Sequence, residues 1–91
     1  MTRQEVYNLI DEEREYQIRV WPKGEERKGV LGGIQLVRKY LDHDFSLHYA
    51  QEEDTPGLDI PEKCLGDIRK MAAILVRIME NNDIPRRGER Q

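Results

Sequence analysis

A chain of 91 residues, with 36% charged and 37% hydrophobic side chains and a net charge of −3, has room for one domain but not for the barrels and doubly wound sheets of large catalytic folds. So short a chain leaves much of its surface exposed even when folded, so a second subunit is the ready way to complete the core. The acidic balance disfavours nucleic acid as the partner, and a single cysteine, Cys64, excludes an internal disulfide framework or a Cys-rich zinc module. The opening MTRQEVYNLIDEERE has no apolar signal core, and no run approaches the roughly 20 apolar residues of a membrane span. No membrane partner is therefore expected, and the cytoplasm is the expected address (a host's, if the chain is phage-encoded).

Three helix-length segments separated by two turn-rich breaks predict an all-α protein. The expected unit is a three-helix bundle completed by homo-oligomerisation, with residues 1–83 as the domain and 84–91 as a basic, flexible tail. The first helix opens on Thr2 and Glu5 at capping-box spacing. Its inward stripe reads Val6, Leu9, Ile10, Glu13, Tyr16, Gln17 and Val20. Pro22 should stop it near Trp21, because the residue before a proline is pushed out of the α region.

The second helix is expected from about Val30 to Tyr49. On a wheel of about 100° per residue, Val30, Ile34, Val37, Leu41, Phe45 and His48 form one stripe, with Leu36, Tyr40 and Leu47 beside it. An arc this wide implies burial on more than one side, so the helix over 30–49 is assigned the contact with a second copy. Gly32 and Gly33 allow a tight turn or a close helix contact; they are no P-loop, since the Lys-Ser/Thr ending is absent. The third helix, about Pro61 to Asn82, follows the Pro56-Gly57 turn signal. Pro61 sits in its first turn with Asp59 near the N-cap, and Asn81-Asn82 can supply a left-handed exit. Its broad apolar arc holds Cys64, Leu65, Ile68, Met71, Ala72, Ile74, Leu75, Val76, Ile78 and Met79.

Chemistry is sought where polar residues break these patterns. Glu13 and Gln17 lie inside an apolar stripe, where a carboxylate costs free energy unless paired, hydrated or metal-bound; a packed stem with a wet head, or an ion pair with a neighbouring helix, is the plain explanation. Asp67 sits on the rim of the third helix's apolar arc, where the helix dipole already favours an acid. Asp44 and His48 have the one-turn spacing of metal ligands, although a solvent-edge hydrogen bond is commoner. Phosphate recognition has more material. Arg38 and Lys39 lie on the second helix; Gly66, Lys70, Ala73 and Arg77 form a small-and-basic strip on the third; Arg86, Arg87 and Arg90 lie in the tail. Guanidinium groups grip phosphate in bidentate fashion, and Trp21, Tyr40 and Tyr16 could stack on a base. A solvated basic face would account for the same residues.

The run Glu13-Arg14-Glu15-Tyr16-Gln17 with Trp21, the Gly33-led second helix, the stretch Asp67-Ile68-Arg69-Lys70-Met71-Ala72-Ala73, Glu80 and Pro85-Arg86-Arg87 together span most of the chain. In them the sequence resembles the phage-type branch of the MazG-like all-α nucleoside triphosphate pyrophosphohydrolases. The resemblance implies hydrolysis of an α–β phosphate linkage with Mg²⁺ held by an EExxE motif on one helix and an ExxD motif on the next. The chain departs from that pattern at the metal. No glutamate lies between Gly33 and Tyr49, and while Asp67 fits the first acid of ExxD, Lys70 stands where the second belongs.

The leading expectation is therefore a homo-oligomer that binds a nucleotide-type ligand without hydrolysis, in a pocket at the subunit interface. Trp21, Arg38, Lys39, Tyr40, Lys70 and Arg77 are its ligand-binding residues, with no metal or other cofactor and no catalytic residue assigned. For a phage-type protein the concrete role would be sequestering a nucleotide signal of host defence. One alternative is a Mg²⁺-dependent pyrophosphohydrolase using Glu12, Glu13, Glu15 and Asp67. Another is a helical adaptor binding a different protein through the spare face of the second helix.

Overall fold

A computed structural model describes residues 1–21, 29–46 and 60–88, and these form three helices: α1 (Arg3–Val20), α2 (Val30–Phe45) and α3 (Glu62–Glu80). The described residues contain no strand and are all-α. None of the helices is long and apolar enough to cross a membrane.

The helix ends follow local chemistry. At the start of α1 the Thr2 hydroxyl accepts from the Glu5 amide at 3.1 Å while the Glu5 carboxylate accepts from the Thr2 amide at 2.9 Å, a complete capping box. Those bonds to Thr2 hold the Glu5 carboxyl below its usual range. Trp21 leaves the helix with extended backbone, φ −83° and ψ 139°, as a residue before proline must. Helix α2 begins after Gly29 and ends at Phe45; the expected continuation through Leu47 and His48 to Tyr49 lies outside the described residues, as do Pro56, Gly57 and Asp59.

Two details of α3 correct the sequence reading. Pro61 is the N-cap, one position before the first helical residue. Asn81 has φ −96° and ψ 0°, and no described residue other than glycine has positive φ, so the left-handed exit does not form. The Asn82 side chain instead donates to the Ile78 carbonyl at 2.8 Å, adding to the bond that carbonyl accepts from the Asn81 amide at 3.3 Å.

Helix α3 is central, and α1 and α2 pack against it. Helix α2 runs antiparallel to α3, with Gly33 against Ile78 at one end and the Asp44 carbonyl 3.7 Å from the Cys64 sulfur at the other. A Cβ on Gly33 would stand 2.6 Å from Ile78 Cδ1 and 2.9 Å from Cγ1, so close helix contact is the use of this glycine. On the other flank Arg69 donates to Glu13 at 2.8 Å, Arg14 pairs with Glu80, and Gln17 donates to the Lys70 carbonyl at 3.3 Å.

Burial divides the apolar arc of α3: Met71, Ile74 and Ile78 are buried, whereas Leu65, Ile68 and Met79 remain exposed. Of the small-and-basic strip, Ala73 and Arg77 are fully buried, and Gly66 and Lys70 are half-buried. The buried sector lies where the other two helices close over α3. Arg77 is accommodated there because the Trp21 ring lies 5.2 Å from its guanidinium carbon, a cation–π contact. Similarly, α1 buries Glu13, Arg14 and Gln17 but exposes Val6, Tyr16 and Val20 of its expected stripe, and α2 buries Gly33 and Asp44 but exposes Val30, Ile34 and Leu41.

Candidate functional site

The spacing 36, 39, 40, 43 places four side chains of α2 on one sector, and 63, 67, 70 does the same on α3. Where these sectors meet, Leu36, Lys39, Tyr40, His43, Lys63, Asp67 and Lys70 line a pocket of about 330 Å³, at the small end of the range for ligand sites. The pocket is made by two helices of one chain. Its walls carry three lysines, an imidazole and one phenol ring around an enclosed carboxylate.

The charges are organised from below. The Asp67 side chain is buried and lies 3.3 Å from Lys70 Nζ. The hydrogen bond with Asp67, reinforced by the charges of Asp67, Tyr40 and Glu13, raises the Lys70 ammonium above its ordinary value, so it stays cationic at neutral pH. Behind the pocket, His43 Nδ1 lies 2.9 Å from the Asp44 carboxylate, whose side chain is enclosed. The bond with His43, followed by the charges of His43 and Lys63, holds Asp44 below the usual carboxyl range. Burial, with Asp44 and Asp67 adding to it, pushes the Cys64 thiol up, which keeps it an inert neutral group.

A second hollow of about 480 Å³ lies between α1 and α3, lined by Leu9, Glu12, Glu13, Tyr16, Arg19, Arg69 and Lys70. Arg19 sits 5.6 Å from the Tyr16 ring centre, and Arg69 holds Glu13. Lys70 belongs to both hollows.

Of the six ligand residues expected from sequence, the structure brings Lys39, Tyr40 and Lys70 into one pocket. Trp21 and Arg77 pair with each other elsewhere, and Arg77 is fully enclosed, so its guanidinium does not line the pocket. Arg38 projects to solvent toward Asp42, 3.8 Å away. The acids of the hydrolytic alternative are dispersed: Glu12 and Glu13 line the second hollow, Asp67 the first, and Glu15 is exposed. Among the described residues no three His, Cys, Asp or Glu side chains are grouped as a metal site would require; His48 lies outside them, as does Arg90. Sequence reasoning missed Lys63 and His43 as pocket residues. The i, i+4, i+7 series Lys63, Asp67, Lys70 was the available signal.

No protein-family model matches the chain, and no curated protein or solved structure matches it at a significant level.

Proposed function

We propose that the pocket between α2 and α3 binds a nucleotide-type ligand without hydrolysing it. The observation that carries this reading is the convergence of Lys39, Lys63 and Lys70 with Tyr40 around one cavity of about 330 Å³. Three ammonium groups suit the charge of a phosphate, and a phenol ring offers a face for a base. Acids that could hold magnesium are engaged by cations, Glu13 with Arg69 and Asp67 with Lys70, which supports binding over cleavage. The resemblance to MazG-like enzymes supports the nucleotide class. In this reading the protein is a cytoplasmic, phage-type binder that withdraws a nucleotide signal, and it works as a homo-oligomer whose exposed Val30, Ile34 and Leu41 on α2 meet a second copy.

Calorimetry with mono-, di- and cyclic nucleotides tests the proposal. Saturable binding that Lys70→Ala weakens at least about tenfold, equivalent to about 1.4 kcal/mol, is the expected result. Absence of heat with every nucleotide would sink it. Mg²⁺-dependent pyrophosphate release lost in Glu13→Gln or Asp67→Asn would replace it with the enzyme alternative.

A further inference from the structure

We infer that two copies of the chain pair back to back through the outer face of α3, leaving both polar hollows open on the far sides. The inference rests on the self-association proposed above, moves its axis from α2 to α3, and does not depend on any ligand.

Leu65, Ile68, Ala72, Leu75 and Met79 recur at spacings of three and four residues, the rhythm of a coiled-coil seam. Among the described residues the seam is only partly covered: Leu65 is 51%, Ile68 46% and Met79 48% exposed. At about 100° per residue it lies roughly 150° around α3 from Lys63, Asp67 and Lys70. The other helices divide the same way. On α2 the exposed Val30, Ile34 and Leu41 lie opposite the pocket residues. On α1, Tyr7 and Ile10 join Ala72, Leu75, Val76 and Met79 around a hollow whose surface is mainly apolar, with Asp11 and Arg14 also in its wall. The three helices therefore form a layer with one polar side and one apolar side. Among the described residues only Met71, Ala73, Ile74 and Ile78 are buried hydrophobics, whereas a domain normally buries its core between two layers. An exposed apolar face formed by three helices marks an interface.

Several observations select a second copy as the occupant. The seam has bulky residues at both ends and alanine in the middle. A two-fold axis near Ala72 sets Leu65 and Ile68 of one copy against Leu75 and Met79 of the other, and lets the helices approach at the small residue. That contact is self-complementary and closes on itself. The seam sector of α3 holds no charged residue, and the nearest flanking charges, Arg69 and Glu80, are engaged within the chain by Glu13 and Arg14. Charge enters only at the edge, from Asp11 and Arg14 of α1, so a second apolar seam suits this sector better than a strongly charged helix.

Sedimentation equilibrium of the full chain at micromolar concentration should give twice the chain mass. Leu75→Glu should give the single mass with unchanged helical circular dichroism, since this side chain lies at the surface of one chain. Ala72→Cys in a Cys64→Ser background should cross-link to itself under mild oxidation, whereas Lys39→Cys in that background should not; this decides the matter even if Leu75→Glu fails to fold. A wild-type monomer overturns self-association and the α3 axis together. A dimer that survives Leu75→Glu but is lost in Ile34→Glu overturns the axis alone and leaves the α2 contact standing.

Discussion

A carboxylate as enclosed as Glu13, 8% exposed, is tolerable because Arg69 donates to it at 2.8 Å. Removing the cation strands the charge, whereas neutralising the acid keeps the shape, so the two substitutions should differ. Arg69→Ala should cost about 2 kcal/mol of folding stability in urea titrations and Glu13→Gln no more than about 1 kcal/mol, the partial exposure of Arg69 keeping the first below the range for fully buried pairs. Equal losses would mean that the pair is held by packing alone. Asp44 has a pH signature. Its folded pKa is depressed, so its contribution is present above the ordinary carboxyl value of about 4 and is lost as pH falls through the lower folded value. His43 is the largest cause and its side chain is mostly exposed. His43→Ala should therefore move the Asp44 titration upward in carbon-detected NMR and bring acid unfolding on at higher pH; superimposable titrations would show that His43 does not set it.

Two glycines separate packing from helix propensity at the scale of the element. Gly66, inside α3, has open space where a Cβ would stand, whereas Gly33 meets Ile78 well inside contact distance. Gly66→Ala should stabilise by about 1 kcal/mol through helix propensity. Gly33→Val should destabilise by about 2 kcal/mol through overpacking. At roughly 4–8 °C per kcal/mol for a chain of this size, thermal melts should move in opposite directions. Much of the element level was legible in the sequence because caps and breakers act locally, as with Thr2 and Glu5 and with Pro22 after Trp21; for Gly32 and Gly33 the sequence left a tight turn and a close contact open, and Ile78 gives Gly33 the second. What a wheel does not carry is which sector faces a neighbour. Arg77 read as a ligand-binding cation or part of a solvated strip, yet two flanking helices close over that sector, and Trp21 arrives from another element to cover the guanidinium. The same gap explains the site. Lys39, Tyr40 and Lys70 were legible as phosphate- and base-binding types, but Arg38, one position from Lys39, points about 100° away. Lys63 joins the pocket only once α2 is set antiparallel to α3.

For the molecule as a whole, a layer with a polar and an apolar side ties folding to association. If the apolar sides pair, unfolding includes dissociation, and the melting temperature must depend on protein concentration. A hundredfold dilution removes about 2.7 kcal/mol per dimer, which for a unit of two such chains lowers the melting temperature by roughly 5–10 °C. Leu75→Glu should melt lower than wild type and at a temperature independent of concentration. The polar hollows impose a second constraint. Because Lys63, Asp67 and Lys70 lie across α3 from the seam, a nucleotide that binds the dimer should bind the Leu75→Glu monomer within about twofold at a temperature where both are folded. A pocket built between subunits would instead lose its ligand with its partner. Dilution melts and calorimetry on these two proteins thus separate a site carried by one chain from one assembled by two, and a loss of affinity in step with the loss of the dimer would put the pocket at the interface after all.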